Sequence, residues 1–150
     1  MKRLIFSCLT TYILLLGNLF AQPATFVFNE AQLYFKQSVD FFDKGLYGLA
    51  ERSFQSFQKI ELPTNEPKYQ YLQTQTELYI ARCAIRSGKP EGEKLMMDFV
   101  RHYSPEPVAG SAIIEIGNYY YNAGKFDKAA EYFKMVDRGG MTLAQRNEVN

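Results

Sequence analysis

The sequence predicts an all-α protein built of antiparallel helix pairs, and three observations carry that prediction. Gly45, Gly88 and Gly124 each close a run of helical periodicity, which is where glycine takes the left-handed conformation that ends a helix without a Cβ penalty. Helical character resumes at once: after Gly124, the residues Phe126, Ala129, Ala130 and Phe133 fall at i, i+3, i+4 and i+7, one apolar face. The arrangement also recurs. Gly124 has Tyr120 and Gly117 at −4 and −7, and Phe126, Ala129 and Phe133 at +2, +5 and +9. Gly45 has Phe41 and Ser38 before it and Tyr47, Ala50 and Phe54 after it at the same offsets. Gly88 keeps Ala84 and Ala81, but its second half is degenerate, with Pro90, Glu93 and Met97 in those places.

The elements follow in order. Gln22–Phe28 is a short leader without an assignment. The first pair spans Asn29–Lys44 and Leu46–Ile60, the second Pro67–Ser87 and Pro90–Tyr103, the third Pro105–Ala123 and Lys125–Asp137. Pro67, Pro90 and Pro105 are expected in first turns, where a missing N–H costs nothing, with Ser104 as an N-cap. The proline-bounded ELPTNEP at Glu61–Pro67 lengthens the first connection. Thr142 and Gln145 make a capping box that opens a further helix at 142–150,. Two turns alone are marginal and a stack of repeats needs a closed end, so the chain is expected to begin a longer array.

Each repeated position has a mechanical purpose. Small residues in both helices let the backbones approach, and the aromatics at −4, +2 and +9 fill the space around that contact. In this the chain resembles the tetratricopeptide repeat, over 29–150, in units of about 29–62, 67–104 and 105–138 with a fourth pair started at 142–150. The glycines are 43 and 36 residues apart, beside ~34 in that repeat. The resemblance implies a right-handed α-α superhelix, a tetratricopeptide solenoid; the competing reading of the residues is a generic antiparallel bundle with an aromatic core. Tyr79–Asp137, with YIARCAIRSG, LMMDFVRHYSP and NYYYNAGKFDKAAEYFKMVD, is also similar to the N-terminal part of long secreted tetratricopeptide proteins of Gram-negative (Bacteroidetes-type) envelopes.

Residues 1–21 put Lys2 and Arg3 ahead of an apolar stretch from Leu4 to Leu16, then Gly17, Asn18 and Ala21 before Gln22. That is the form of a signal peptide cleaved after Ala21, so export to the periplasm or the outer membrane is expected. An uncleaved anchor is the rival, disfavoured because the run is shorter than the ~20 residues of a span. Cys8 lies too early in the run to be a lipid-attachment site. Removing Lys2 and Arg3 leaves 15 basic against 16 acidic residues, which gives no electrostatic footprint for nucleic acid. The 47% hydrophobic and 22% charged content is that of a chain that buries a core,.

Catalysis needs convergent polar groups, and few are present. His102 is the one histidine and falls in a last helical turn, where the macrodipole favours a cation. Cys83 lies among Ile80, Ala84 and Ile85, a small buried apolar residue. One histidine and one such cysteine make no metal site. Asp127 with Glu131, and Asp40 with Lys44, are exposed i, i+4 neighbours. No glycine-rich phosphate loop exists, Gly139–Gly140 being a turn,. The sequence therefore predicts no enzyme, no cofactor and no metal, and function on a surface.

The resemblance places that surface on the first helices. Its ligand-facing positions correspond to Gln32, Phe35, Val39, Phe42 and Asp43; to Gln75, Leu78, Arg82, Ile85 and Arg86; and to Ser111, Ile114, Asn118, Tyr121 and Asn122. Of these, Arg82, Arg86, Asn118, Tyr121, Asn122 and Phe42 are the expected contacts to a protein or peptide partner, with packing between helices as the competing reading for Phe42 and the expected one for Phe35 and Ile114. The alternative function is a structural spacer or oligomerisation segment of a longer envelope assembly.

Overall fold

The computed structural model describes residues 23–63 and 65–136, with side chains from residue 28 onward. The expected signal peptide and the helix at 142–150 lie outside them. Within them the chain is all-helical: α1 (Pro23–Asp43), α2 (Tyr47–Phe57), α3 (Pro67–Arg86), α4 (Gly92–Tyr103), α5 (Pro107–Asn122) and α6 (Phe126–Met135). Each helix packs on its neighbours in sequence, and α1 also meets α3. The result is a solenoid-like file of three helix pairs.

The three turns within pairs are copies of one motif. Gly45, Gly88 and Gly124 have φ of +74°, +67° and +72°. In each, the glycine N–H donates to the carbonyl three residues back and the next N–H to the carbonyl five back: Gly45 to Phe42 and Leu46 to Phe41, Gly88 to Ile85 and Lys89 to Ala84, Gly124 to Tyr121 and Lys125 to Tyr120. This pair of bonds satisfies carbonyls that a helix end otherwise leaves open. Only glycine holds such a φ without strain, and the chain reverses into the second helix. The reversal shows in the ring pairs, since Tyr34 meets Phe57 and Phe42 meets Tyr47.

Small residues at the positions the spacing marks are buried. Ala50, Ala81 and Ala129 are buried, and Ser38, fully enclosed, donates to or accepts from Ser53 Oγ at 2.8 Å while its hydroxyl also reaches the Tyr34 carbonyl. A Cβ on Gly117 would overlap the ring of Phe133. The second pair departs from its expected register. Pro90 and Glu91 remain in a turn, so α4 starts at Gly92 and not at Pro90. The inward positions move by one residue, from Glu93 and Met97 to Gly92 and Met96. Glycine there lets α4 lie against the α3 backbone, since a Cβ would stand 2.7 Å from the Ile85 nitrogen.

Two other boundaries differ. α1 begins at Pro23, so the leader at 22–28 is largely helical, and Phe28 meets Tyr69 edge-on at 5.4 Å. Ser104 ends α4 in an extended conformation, the Ser104–Pro105 bond is cis, and α5 opens at Pro107. Ser104 is thus no N-cap. Glu106 precedes a proline, which disfavours helical backbone there, and its φ and ψ are −63° and 150°. Pro67 does open its helix, after an extended Glu66.

The core changes character along the file. Ala31, Phe57, Leu62, Tyr69 and Leu72 pack at one end, then Ala50, Phe54 and Cys83. An aliphatic cluster follows, with Leu78, Met96, Ile113 and Ile116 at its centre. No helix among the described residues is long and apolar enough to cross a membrane.

Candidate partner-binding surface

A groove of about 630 Å³ runs between α1 and α3, the first helices of the first two pairs. Phe35, Val39 and Tyr79 form its floor, half-buried. Those rings are fixed from behind: Phe35 meets Phe54, Phe57 and Tyr79 edge-on at 5.6 to 6.0 Å, and Tyr79 stacks on Phe54 at 4.9 Å. Leu33 and Tyr71 stand at its rim, 68% and 62% exposed. Asn29, Gln32 and Gln75 supply amides along its length, and Lys36 the one charge among the lining residues. Rigid apolar floor, exposed apolar rim and amides that both donate and accept suit the side chains and backbone of a peptide.

The sequence-predicted positions divide between this groove and the core. Gln32, Phe35, Val39 and Gln75 line it. Leu78, Ile85 and Ile114 are buried in the aliphatic cluster, which removes them from any ligand face; their periodicity serves helix packing. Phe42 packs between Tyr47 and Tyr79, at 5.3 and 5.2 Å. Arg82 donates through Nε to Glu115 at 2.6 Å and lies over the Tyr79 ring at 4.8 Å. It ties α3 to α5. Asp43, Arg86, Tyr121 and Asn122 are exposed, and Ser111 and Asn118 half-buried. None of the six expected contacts lines the α1–α3 groove. Leu33, Tyr71 and Tyr79 fall outside the expected set, since repeat register does not reach them.

Next to the groove, across Tyr71 and Gln75, lies a more polar hollow of about 620 Å³. Gln70, Gln73, Glu77, His102, Tyr103 and Glu106 contribute to it, with the Tyr103 hydroxyl donating to Glu77 at 3.1 Å. His102 is exposed in the last turn of α4, as its position predicts.

Ion pairs also cross from one helix pair to the next. Lys89 reaches both oxygens of the enclosed Glu51 carboxylate at 2.7 and 2.8 Å. Glu93 accepts from Lys128 at 2.8 Å, Tyr120 at 2.6 Å and Tyr132. Those three donors, Lys128 first, hold Glu93 down at about 2, while burial and then Glu93 push both phenols up. Burial pushes the Cys83 thiol up to about 12. A thiol so protonated is a poor nucleophile. Among the described residues no three histidine, cysteine or carboxylate side chains gather as a metal site would require.

No protein-family model, no curated protein and no solved structure matches the chain.

Proposed function

We propose that the chain is a non-enzymatic scaffold of tetratricopeptide type, exported to the cell envelope, that binds a protein or peptide segment along the groove between α1 and α3. The observation that carries this reading is the groove itself: an exposed Leu33 and Tyr71 over a floor fixed by Phe54 and Phe57. Exposed aromatic and aliphatic anchors beside rigid rings are where binding energy concentrates. The repeat assignment is supported by the three like turns and by the buried small residues on both sides of the first and third, Ser38 with Ala50 and Gly117 with Ala129. The export assignment is supported by the pattern of residues 1–21.

A photo-crosslinking residue at position 71, with Gln55 on α2 as the control position, tests the groove. A linear partner segment captured from position 71 and not from 55 is the expected result. Capture equal from both positions, or from neither, would remove the groove as the site. Intact mass of the native protein tests export, a first residue at Gln22 being expected.

Spacer or self-assembly is the second reading. It is favoured by exposed apolar residues at both ends of the file: Leu33 and Ile60 beside a hollow of about 350 Å³ at one end, and Tyr121 and Phe126 at the other. Light scattering against concentration separates it from a monomeric binder.

A further inference from the structure

Two hollows flank one ridge of α3. Tyr71 and Gln75 line both of them, the α1–α3 groove on one side and the more polar hollow toward the end of α4 and the start of α5 on the other. Residues four apart share a helix face, and Tyr71, 62% exposed, stands out from it. A segment laid across Tyr71 therefore enters both hollows.

The two sides carry opposite charge. Lys36 is the only charged residue that lines the groove. Glu77 and Glu106 line the hollow beyond the ridge, where His102 is the only lining side chain able to become positive. Lys36 and Glu106 are exposed and Glu77 is half-buried. Among the described residues none of the three enters an ion pair, and Asp40, one turn on from Lys36, does not reach it. The Tyr103 hydroxyl donates to Glu77 at 3.1 Å, which holds the carboxylate in place without neutralising it. Charges that join helix pairs behave otherwise: Arg82 with Glu115, Lys89 with Glu51 and Lys128 with Glu93 cancel each other within the chain. The uncancelled charges thus stand on either side of an apolar floor and a tyrosine ridge.

From this arrangement we propose that the partner is an extended peptide segment that crosses α3 with an acidic side chain at Lys36, an aliphatic or aromatic side chain on the floor of Phe35, Val39 and Tyr79, and a lysine or arginine at Glu77 and Glu106. An occupant of this kind rests on the reading of the α1–α3 groove as the binding site. Complementary charge selects a partner and fixes its register more than it adds affinity. An extended chain rises about 3.3 Å per residue and neighbouring helices lie about 8–10 Å apart, so roughly three to five residues separate the acid from the base. A segment of uniform charge meets like charge on one side or the other.

Random linear peptides displayed on phage and selected on the whole natural chain are the test, with affinities of the selected peptides read by fluorescence anisotropy. Selected sequences are expected to carry an acid and a base on opposite sides of an apolar residue. Lys36→Glu, and separately Glu77→Gln with Glu106→Lys, should each weaken such a peptide about fivefold, as surface charges do; glutamine keeps an acceptor for Tyr103. A peptide with its acid and base exchanged should bind the variant carrying all three substitutions more tightly than it binds the wild type, a gain that an unfolded variant cannot give. Tyr71→Ala should weaken every selected peptide. Peptides that need Tyr71 but are indifferent to the charge substitutions overturn the charge assignment and leave the groove standing. Peptides indifferent to Tyr71→Ala, or the selection of none, overturn both.

Discussion

The junction between the first and second helix pairs is a ring-on-ring contact, whereas that between the second and third is aliphatic inside and polar at its edge. Phe35, Phe42, Phe54 and Tyr79 meet at the first. Leu78, Ile85, Ile113 and Ile116 fill the second, and Tyr120, Tyr132 and Lys128 gather on Glu93 at its margin. Each junction nonetheless carries one glutamate that holds a lysine of the following pair, Glu51 with Lys89 and Glu93 with Lys128. Both glutamates follow directly on the small inward residue of a second helix, Ala50 or Gly92. The Glu51 side chain is 7% exposed and that of Glu93 39%. One position in the repeat thus gives an enclosed ion pair at the first junction and a partly exposed cluster at the second.

Phe54→Ala should break the first junction most. It removes a fully buried ring that touches Phe35 and Tyr79, at a cost of about 3–5 kcal/mol, measured by denaturant unfolding. Ile116→Val in the second junction should cost only about 0.5–1.5 kcal/mol. A smaller loss for Phe54→Ala than for Ile116→Val would reverse the contrast drawn between the junctions.

Gly92→Ala comes next, at about 1–3 kcal/mol, because the new methyl meets α3 backbone that cannot turn aside. Gly117→Ala should cost less, since what it meets is the half-buried Phe133 ring, free to rotate toward solvent. Thermal unfolding of the two variants orders them.

Lysine removal sharpens the electrostatic contrast. Lys89→Ala leaves the enclosed Glu51 carboxylate without its partner, and a lone buried charge is costly. Lys128→Ala leaves Glu93 with two phenol donors and water. The unfolding midpoint should fall further for Lys89→Ala, and equal shifts would show that burial does not distinguish the pairs.

Glu93→Gln has the smallest effect and a defined pH dependence. The folded carboxyl is held at about 2, below its ordinary 4.5, so its stabilising contribution is complete above about pH 5 and is lost as pH falls toward 2. The wild type should exceed Glu93→Gln by about 1 kcal/mol or less at neutral pH, kept low by solvent at this partly exposed group. The two unfolding curves should converge at pH 2. A gap that persists there would assign the difference to packing.

What is legible in the sequence follows from which residues admit a single physical reading. A glycine that closes a periodic run does so for its left-handed backbone, and all three turns stand where their glycines predict. Ala50 with Phe54 and Ala129 with Phe133 are legible on similar grounds, being small and large residues one turn apart. Pro90 misleads, because proline suits a first helical turn and here holds the chain in a turn through Glu91. That delay rotates α4 and puts Glu93 in the place of Glu51. The groove is half legible: repeat register finds Gln32, Phe35, Val39 and Gln75. Register alone does not reveal that Glu115 engages Arg82 or that Leu33 and Tyr71 stay exposed, because both depend on which helices lie opposite.

Cys83 adds a consequence for experiment. It lies with Ala50 and Phe54 in the core of the first half, fully enclosed and with its thiol held protonated. Burial, which pushes that thiol up to about 12, leaves little reactive thiolate at neutral pH,. An alkylating reagent therefore records the moments when the rings around it part. Its rate of modification at this one sulfur is a clock for the opening of the core around Ala50 and Phe54.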